Sequence, residues 1–354
     1  MKVKKILIVD DSAFMRRVIK DIIEEDNELE VIGIARNGED ALKKIDELDP
    51  DVITLDVEMP IMDGIETLAK IGEKTKKIPV IMLSSLTVEG AEMTIKALEL
   101  GAVDFISKPE SIFNIESDDK KKEIINKLKM AANVKNLNYK SSNAIKLNKI
   151  SSDKKIKRKQ LNGKYNTLIS VGTSTGGPRA LQSLLTKIPE NIDASILVVQ
   201  HMPVGFTKSL SDRLDSMCEI KVKEAENLDV LEKGVCYIAP GDRHIRLEEK
   251  ADKITIHLDD GQRVSGHKPS VDVLMDETAQ IKTKKIVAAI LTGMGADGAK
   301  GIKKVKEMGG YTIAQNEETC VVYGMPKSAV AIDAIHKVLP IDDIAAELTK
   351  KAGV

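Results

Sequence analysis

Tryptophan is absent, and aromatic residues of all kinds make up only 3% of the 354 residues. Base- and sugar-stacking surfaces are built from exposed rings, so a nucleic-acid platform is not expected. Cysteine is scarce: Cys218, Cys236 and Cys320 are too few and too scattered for a disulfide framework or a four-thiolate zinc site. They read as small buried hydrophobes in a reducing compartment. An excess of either charge is missing too, with 54 basic against 55 acidic residues and a net charge of −1. That balance excludes a globally basic nucleic-acid coat and an acidic disordered chain. No apolar stretch approaches the ~18 residues needed to cross a membrane. The apolar run after the basic residues 2–5 stops at Asp10, short of a signal peptide. The expectation is a cytoplasmic protein with no membrane insertion.

What is present is ample core material, 42% hydrophobic residues in a length suited to about two domains at ~150 residues each. Composition shifts sharply once. Residues 131–163 hold nine Lys/Arg, one acid, six Asn and four Ser, a net +8 that leaves the rest of the chain at −9. Such a stretch buries too little apolar surface to offset its ordering entropy, so it is expected to be a basic flexible linker spanning ~30 Å. The domains flanking it are then 1–130 and 164–348.

In the first, the runs 6–9, 31–34, 52–55, 80–83 and 104–106 read as five buried strands alternating with helical spacing such as Phe14, Val18, Ile19, Ile22 and Ile23. Five βα units imply a doubly wound parallel α/β sheet. Chemistry in such a sheet collects beyond the carboxyl ends of the strands. Asp10 and Asp11 follow the first strand, Asp56 the third, Ser84 the fourth and Lys108 the fifth. Three carboxylates at one edge repel unless a cation neutralises them, and Mg²⁺ prefers such hard oxygen ligands.

This ordered set resembles the receiver domain of two-component response regulators. The resemblance implies that Asp56 accepts a phosphoryl group from a histidine kinase. It makes Asp10, Asp11 and Asp56, with the Glu58 carbonyl, the Mg²⁺ ligands. Ser84 becomes the switch hydroxyl and Lys108 the charge partner of the phosphoryl group.

After the linker, the apolar runs 167–171, 196–199 and 287–291 are again strand-like, while 220–265 alternates in short runs expected to be antiparallel, such as 235–238 and 253–256. Gly172-Thr173-Ser174-Thr175-Gly176-Gly177-Pro178 follows the first of these runs. It fits a G-x-S-x-G nucleophile elbow and equally a phosphate cradle at a helix start. A nucleophilic Ser174 needs a base. His201, in Gln200-His201-Met202-Pro203, ends the second run and faces the same edge; His244 and then His267 are the fallbacks, while His257 reads as a strand residue and His336 as solvated in a helix-like stretch. Asp297, the only carboxylate of Leu291-Thr292-Gly293-Met294-Gly295-Ala296-Asp297-Gly298, lies in the loop that follows the third, at the same edge. Three strand-end loops supplying Ser, His and Asp match a triad, in an order unlike that of the α/β-hydrolases.

These segments, with Lys268-Pro269-Ser270-Val271-Asp272, resemble the CheB-type chemotaxis methylesterases over roughly residues 164–345. The resemblance implies a C-terminal doubly wound α/β domain with an antiparallel hairpin. Ser174 is then the nucleophile, His201 the base, Asp297 its orienter and the Met294 N–H an oxyanion donor. The expected activity is a protein-glutamate methylesterase, controlled by phosphorylation, that demethylates glutamate γ-methyl esters on chemoreceptors and shares its chemistry with glutamine deamidation. The esterase reaction would need no cofactor. The contrasting class is a binding module, in which Ser174→Ala would change affinity rather than abolish turnover.

Overall fold

The structure is a computed structural model that describes residues 3–108, 118–134, 137, 139, 163–251 and 253–354. The chain divides into two compact units, Met1–Asp153 and Lys154–Val354. The expected linker at 131–163 lies largely outside the described residues.

The first unit alternates β1 (Lys4–Val9), α1 (Ala13–Glu24), β2 (Leu29–Ala35), α2 (Gly38–Leu48), β3 (Val52–Asp56), α3 (Gly64–Glu73), β4 (Val80–Ser84), α4 (Val88–Leu100), β5 (Asp104–Ser107) and α5 (Asp118–Ala131). The strands pair in parallel in the order β2-β1-β3-β4-β5. Four helices start on side-chain caps, with Ser12, Asn37, Asp63 and Thr87 each accepting a backbone N–H from the first turn. The connections into these helices are two or three residues after β1, β2 and β4, and seven after β3. On α1 the buried stripe is Met15, Ile19, Ile22 and Ile23, whereas Phe14 is 49% exposed. Met15 lies four residues before Ile19, on the inward face, and Phe14 sits one residue off it.

The second unit runs β6 (Thr167–Thr173), α6 (Gly177–Leu185), β7 (Ala194–Gln200), α7 (Phe206–Asp215), β8 (Lys221–Glu224), β9 (Val235–Ile238), β10 (His244–Lys250), β11 (Lys253–Asp259), α8 (Val271–Ala279), β12 (Lys285–Ile290), α9 (Ala299–Glu307), β13 (Tyr311–Gln315), α10 (Met325–Ala331), β14 (Lys337–Leu339) and α11 (Ile341–Ala352). Seven strands form one parallel sheet, β14-β13-β12-β6-β7-β9-β8. Among the described strands, the antiparallel hairpin is β10–β11. The run 235–238, expected to be antiparallel, is instead a parallel strand of the main sheet. All four of its residues are buried, and a strand covered on both faces reads as continuous rather than alternating. His336 is likewise not helical: it precedes β14, and its Nδ1 lies 2.8 Å from the Thr312 hydroxyl. Cys218, Cys236 and Cys320 are buried, and none is in a disulfide. No helix among the described residues is long and apolar enough to cross a membrane.

Candidate functional sites

β12, β6 and β7 are neighbours in the second sheet, and the strand order reverses beside β6. Their carboxyl ends therefore open into one crevice. Ser174 follows β6, His201 follows β7, and the loop after β12 carries residues 293–297. The turn bearing Ser174 is pinned by its neighbours on both sides. The Ser174 N–H and the Thr173 hydroxyl both donate to the Thr292 carbonyl, at 3.1 and 2.9 Å. Gln200 Nε2 donates to the Ser174 carbonyl at 3.0 Å, and the Thr292 hydroxyl to the Thr175 carbonyl at 2.9 Å. Gly293 lets the third loop close in: a Cβ there would lie 2.9 Å from Ser174 Cβ and 2.2 Å from Met325 Sδ. The Met294 N–H makes no hydrogen bond to any described residue.

His201 and Asp297 are joined, with Nε2 2.8 Å from Oδ2. The same Oδ2 accepts the Val271 N–H at 2.8 Å, while Oδ1 accepts the Ser270 hydroxyl at 2.8 Å and the Asp272 N–H at 3.1 Å. Burial pushes the Asp297 carboxyl up, but the bonds from His201, Val271 and Ser270 outweigh it and hold the group at about 2. Asp297 is therefore a carboxylate, and the His201 nitrogen facing it carries the proton. That leaves Nδ1, buried and without a hydrogen-bond partner, as the ring nitrogen not engaged by Asp297. Ser174 Oγ makes no hydrogen bond to it in this structure, as free active sites often have it.

The fallback histidines have other roles. His244 is 1% exposed and accepts the Ser270 N–H on Nδ1 at 3.2 Å, so its Nε2 donates to the Gln262 carbonyl at 3.0 Å. It braces the segment that holds Asp297. His267 stacks face to face on His201, ring centroids 3.8 Å apart and 7° from parallel. His257 lies in β11 beside Glu248.

At the carboxyl edge of the first sheet, one carboxylate oxygen from each of Asp10, Asp11 and Asp56 lies within 4.8 Å of the others. Lys108 Nζ sits between Asp10 Oδ2 (2.9 Å) and Asp56 Oδ2 (2.6 Å). Burial and the Asp10 charge nonetheless push the Asp56 carboxyl up to about 6, against Lys108 and the Glu58 N–H. One ammonium does not balance three carboxylates. An all-oxygen donor set short of positive charge fits a hard divalent cation such as Mg²⁺. Glu58 donates its N–H to Asp56 Oδ1 at 3.3 Å, and its carbonyl accepts no hydrogen bond from a described residue. The Ser84 hydroxyl is turned away from Asp56: it accepts from Thr94 Oγ1 at 2.6 Å and lies 3.2 Å from the Gly90 carbonyl.

The residues that hold the Ser174, His201 and Asp297 segments in place, Gln200, Ser270, Val271 and Thr292, went unassigned in the sequence reading. The available signal was position: Gln200 adjoins His201, and Ser270 and Val271 lie within the Lys268–Asp272 motif.

The response regulator receiver domain model matches residues 6–117, and the CheB methylesterase model matches residues 169–348. Curated relatives include a protein-glutamate methylesterase/protein-glutamine glutaminase of Halalkalibacterium halodurans, 45% identical over 98% of both chains. One of the same name from Pyrococcus horikoshii is 46% identical over 99% of this chain and 94% of its own. Among solved structures, the CheB methylesterase catalytic domain of Thermotoga maritima aligns at 46% identity and a TM-score of 0.51, over 53% of this chain and 99% of its own. Matched by that family model over half its length and by these relatives from end to end, the chain belongs to the CheB methylesterase family.

Proposed function

We propose that the chain is a protein-glutamate methylesterase/glutaminase acting on chemoreceptors in chemotactic adaptation, its rate set by phosphorylation of Asp56 by a histidine kinase. The observation that carries the catalytic half is the His201–Asp297 pair, whose His201 Nδ1 is buried with no hydrogen-bond partner. Ser174 Oγ attacks the ester carbonyl of a glutamate γ-methyl ester while His201 Nδ1 takes its proton. Asp297 holds the imidazolium that forms. The Met294 N–H lies free to stabilise the oxyanion, where one such donor contributes ~2.7–4 kcal/mol. The His201 proton passes to the departing oxygen and methanol leaves. Water, deprotonated by the same nitrogen, then releases glutamate from Ser174. With a glutamine substrate the leaving group is ammonia.

In the first unit, Asp10, Asp11 and Asp56 with the Glu58 carbonyl would hold Mg²⁺, which when bound neutralises charge on a transferring phosphoryl group. Asp56 supplies the attacking carboxylate, Lys108 pairs with the phosphoryl oxygens, and Ser84 rotates from Thr94 toward them. The test is methanol release from methyl-esterified receptor, with and without a small phosphodonor and Mg²⁺. Release that disappears in Ser174→Ala and rises with phosphodonor is the expected outcome. Release that survives in Ser174→Ala overturns the catalytic assignment, and release indifferent to phosphodonor overturns the control.

A further inference from the structure

Asp297 does not hold its own place. Three of the four hydrogen bonds on its carboxylate come from Ser270, Val271 and Asp272, at the start of α8. The orientation of His201 therefore depends on how the start of α8 is fixed against the loop that carries Asp297. Asp272 supplies that fixing from the opposite direction. Its Oδ1 accepts the Gly301 N–H, in the first turn of α9, at 2.8 Å, and the Gly298 N–H also faces it. Two helices thus exchange carboxylates: the chain leading into α9 sends Asp297 to the start of α8, and α8 sends Asp272 to the start of α9. Free N–H groups at a helix start favour an anion, so each half of the exchange is favourable by itself.

Two further observations support a requirement at this contact. A Cβ on Gly301 would lie 2.8 Å from the Asp272 carbonyl oxygen and 3.0 Å from its Cα, so the approach needs a bare backbone there. Burial and the neighbouring Asp297 charge raise the Asp272 carboxyl. Carrying a second carboxylate beside the first is thus unfavourable, and its return is the grip on α9.

We infer that Asp272 is a positioning residue for the esterase reaction, clamping α8 to α9 so that Asp297 meets His201 Nε2. The inference rests on the reading of Ser174, His201 and Asp297 as nucleophile, base and orienter. Its signature is a loss in kcat accompanied by a change at the His201 ring, since the clamp touches no substrate.

The experiment uses the full-length protein with ¹⁵N-labelled histidine. In the wild type His201 gives one neutral tautomer with the proton on Nε2. Asp272→Ala is expected to lower kcat about 10- to 100-fold, the scale of an ångström's misplacement. KM stays within about twofold, because uniform substrate binding is untouched. The His201 signal becomes a mixture of tautomers. Asp272→Asn, whose amide oxygen still accepts from Gly301, restores the single tautomer and most of kcat. If Asp272→Ala fails to fold, Asp272→Ser replaces it, keeping a polar residue at the helix start but too short to reach Gly301. A folded truncation variant with wild-type kcat overturns the inference, as does one that loses kcat with the His201 tautomer unchanged. The nitrogen spectrum needs no turnover, so failure of the triad reading, seen as activity retained in Ser174→Ala, is distinguished from failure of the clamp.

Discussion

Asp56 and Asp297 invite comparison. Each stands at the carboxyl edge of a parallel sheet, and they are 3% and 2% exposed. Yet the carboxyl of Asp56 is pushed up to about 6, whereas that of Asp297 is held at about 2. Burial acts on both in the same direction, so the neighbours decide. Asp297 receives four hydrogen bonds, three from groups that carry no charge of their own. Asp56 faces the Asp10 carboxylate and shares one ammonium with it. A carboxylate that is fully solvated by the protein orients a base and stays put. One left short of positive charge suits the cation and phosphoryl group proposed for Asp56.

The largest expected effect is at the well-solvated member. Asp297→Asn should lower kcat by about 10⁴-fold, because an amide no longer dictates which His201 nitrogen carries the proton. Steady-state methanol release measures it, and a fall of less than tenfold would break the contrast.

At Asp56 the opposite sign is expected for stability. A carboxyl raised in the folded state favours folding while protonated, below the unfolded value near 4, and that contribution is lost as pH rises through about 6. At pH 7 the ionised group therefore opposes folding, and Asp56→Asn should stabilise the first unit by about 1–3 kcal/mol in urea while abolishing stimulation by phosphodonor.

Asp297 runs the other way. Its contribution, about 2 kcal/mol, should be fully present above pH 4 and lost as pH falls toward 2. Urea midpoints of wild type and Asp297→Asn should converge over that window and stay apart above it.

The smallest effect sharpens the comparison at the other end. Mg²⁺ at ten times its Kd should stabilise the first unit by about 1.4 kcal/mol, and Asp56→Asn should reduce that gain. Thermal unfolding with Mg²⁺ and with chelator reads it; equal gains in wild type and Asp56→Asn would remove Asp56 from the cation's ligands.

Much of this was legible because strand-end positions are one-dimensional signals. A continuous apolar run marks a buried strand, and the residue just past it lies at the edge where chemistry gathers, which located Asp10, Asp56, Ser174 and His201; Asp297 was read from the glycine-rich loop after β12. What failed was whatever depends on two distant segments meeting. The run 235–238 has the same composition whether its neighbours run parallel or antiparallel, and only its burial between β7 and β8 decides. Ser270 and Asp272 look like an ordinary helix start until α9 is placed against them. The direction of the Ser84 hydroxyl depends on Thr94, ten residues away on α4, and no spacing rule encodes a rotamer.

The buried thiols have a practical consequence. Cys218 and Cys236 are fully covered, Cys320 is 4% exposed, and the chain contains no tryptophan. The folded protein is therefore almost silent to thiol reagents and to indole fluorescence. A single tryptophan at Phe105 would report on the first unit alone, and one at Phe206 on the second alone. A cysteine introduced on the surface of either would be the one accessible site for a dye, with no native thiol to remove first.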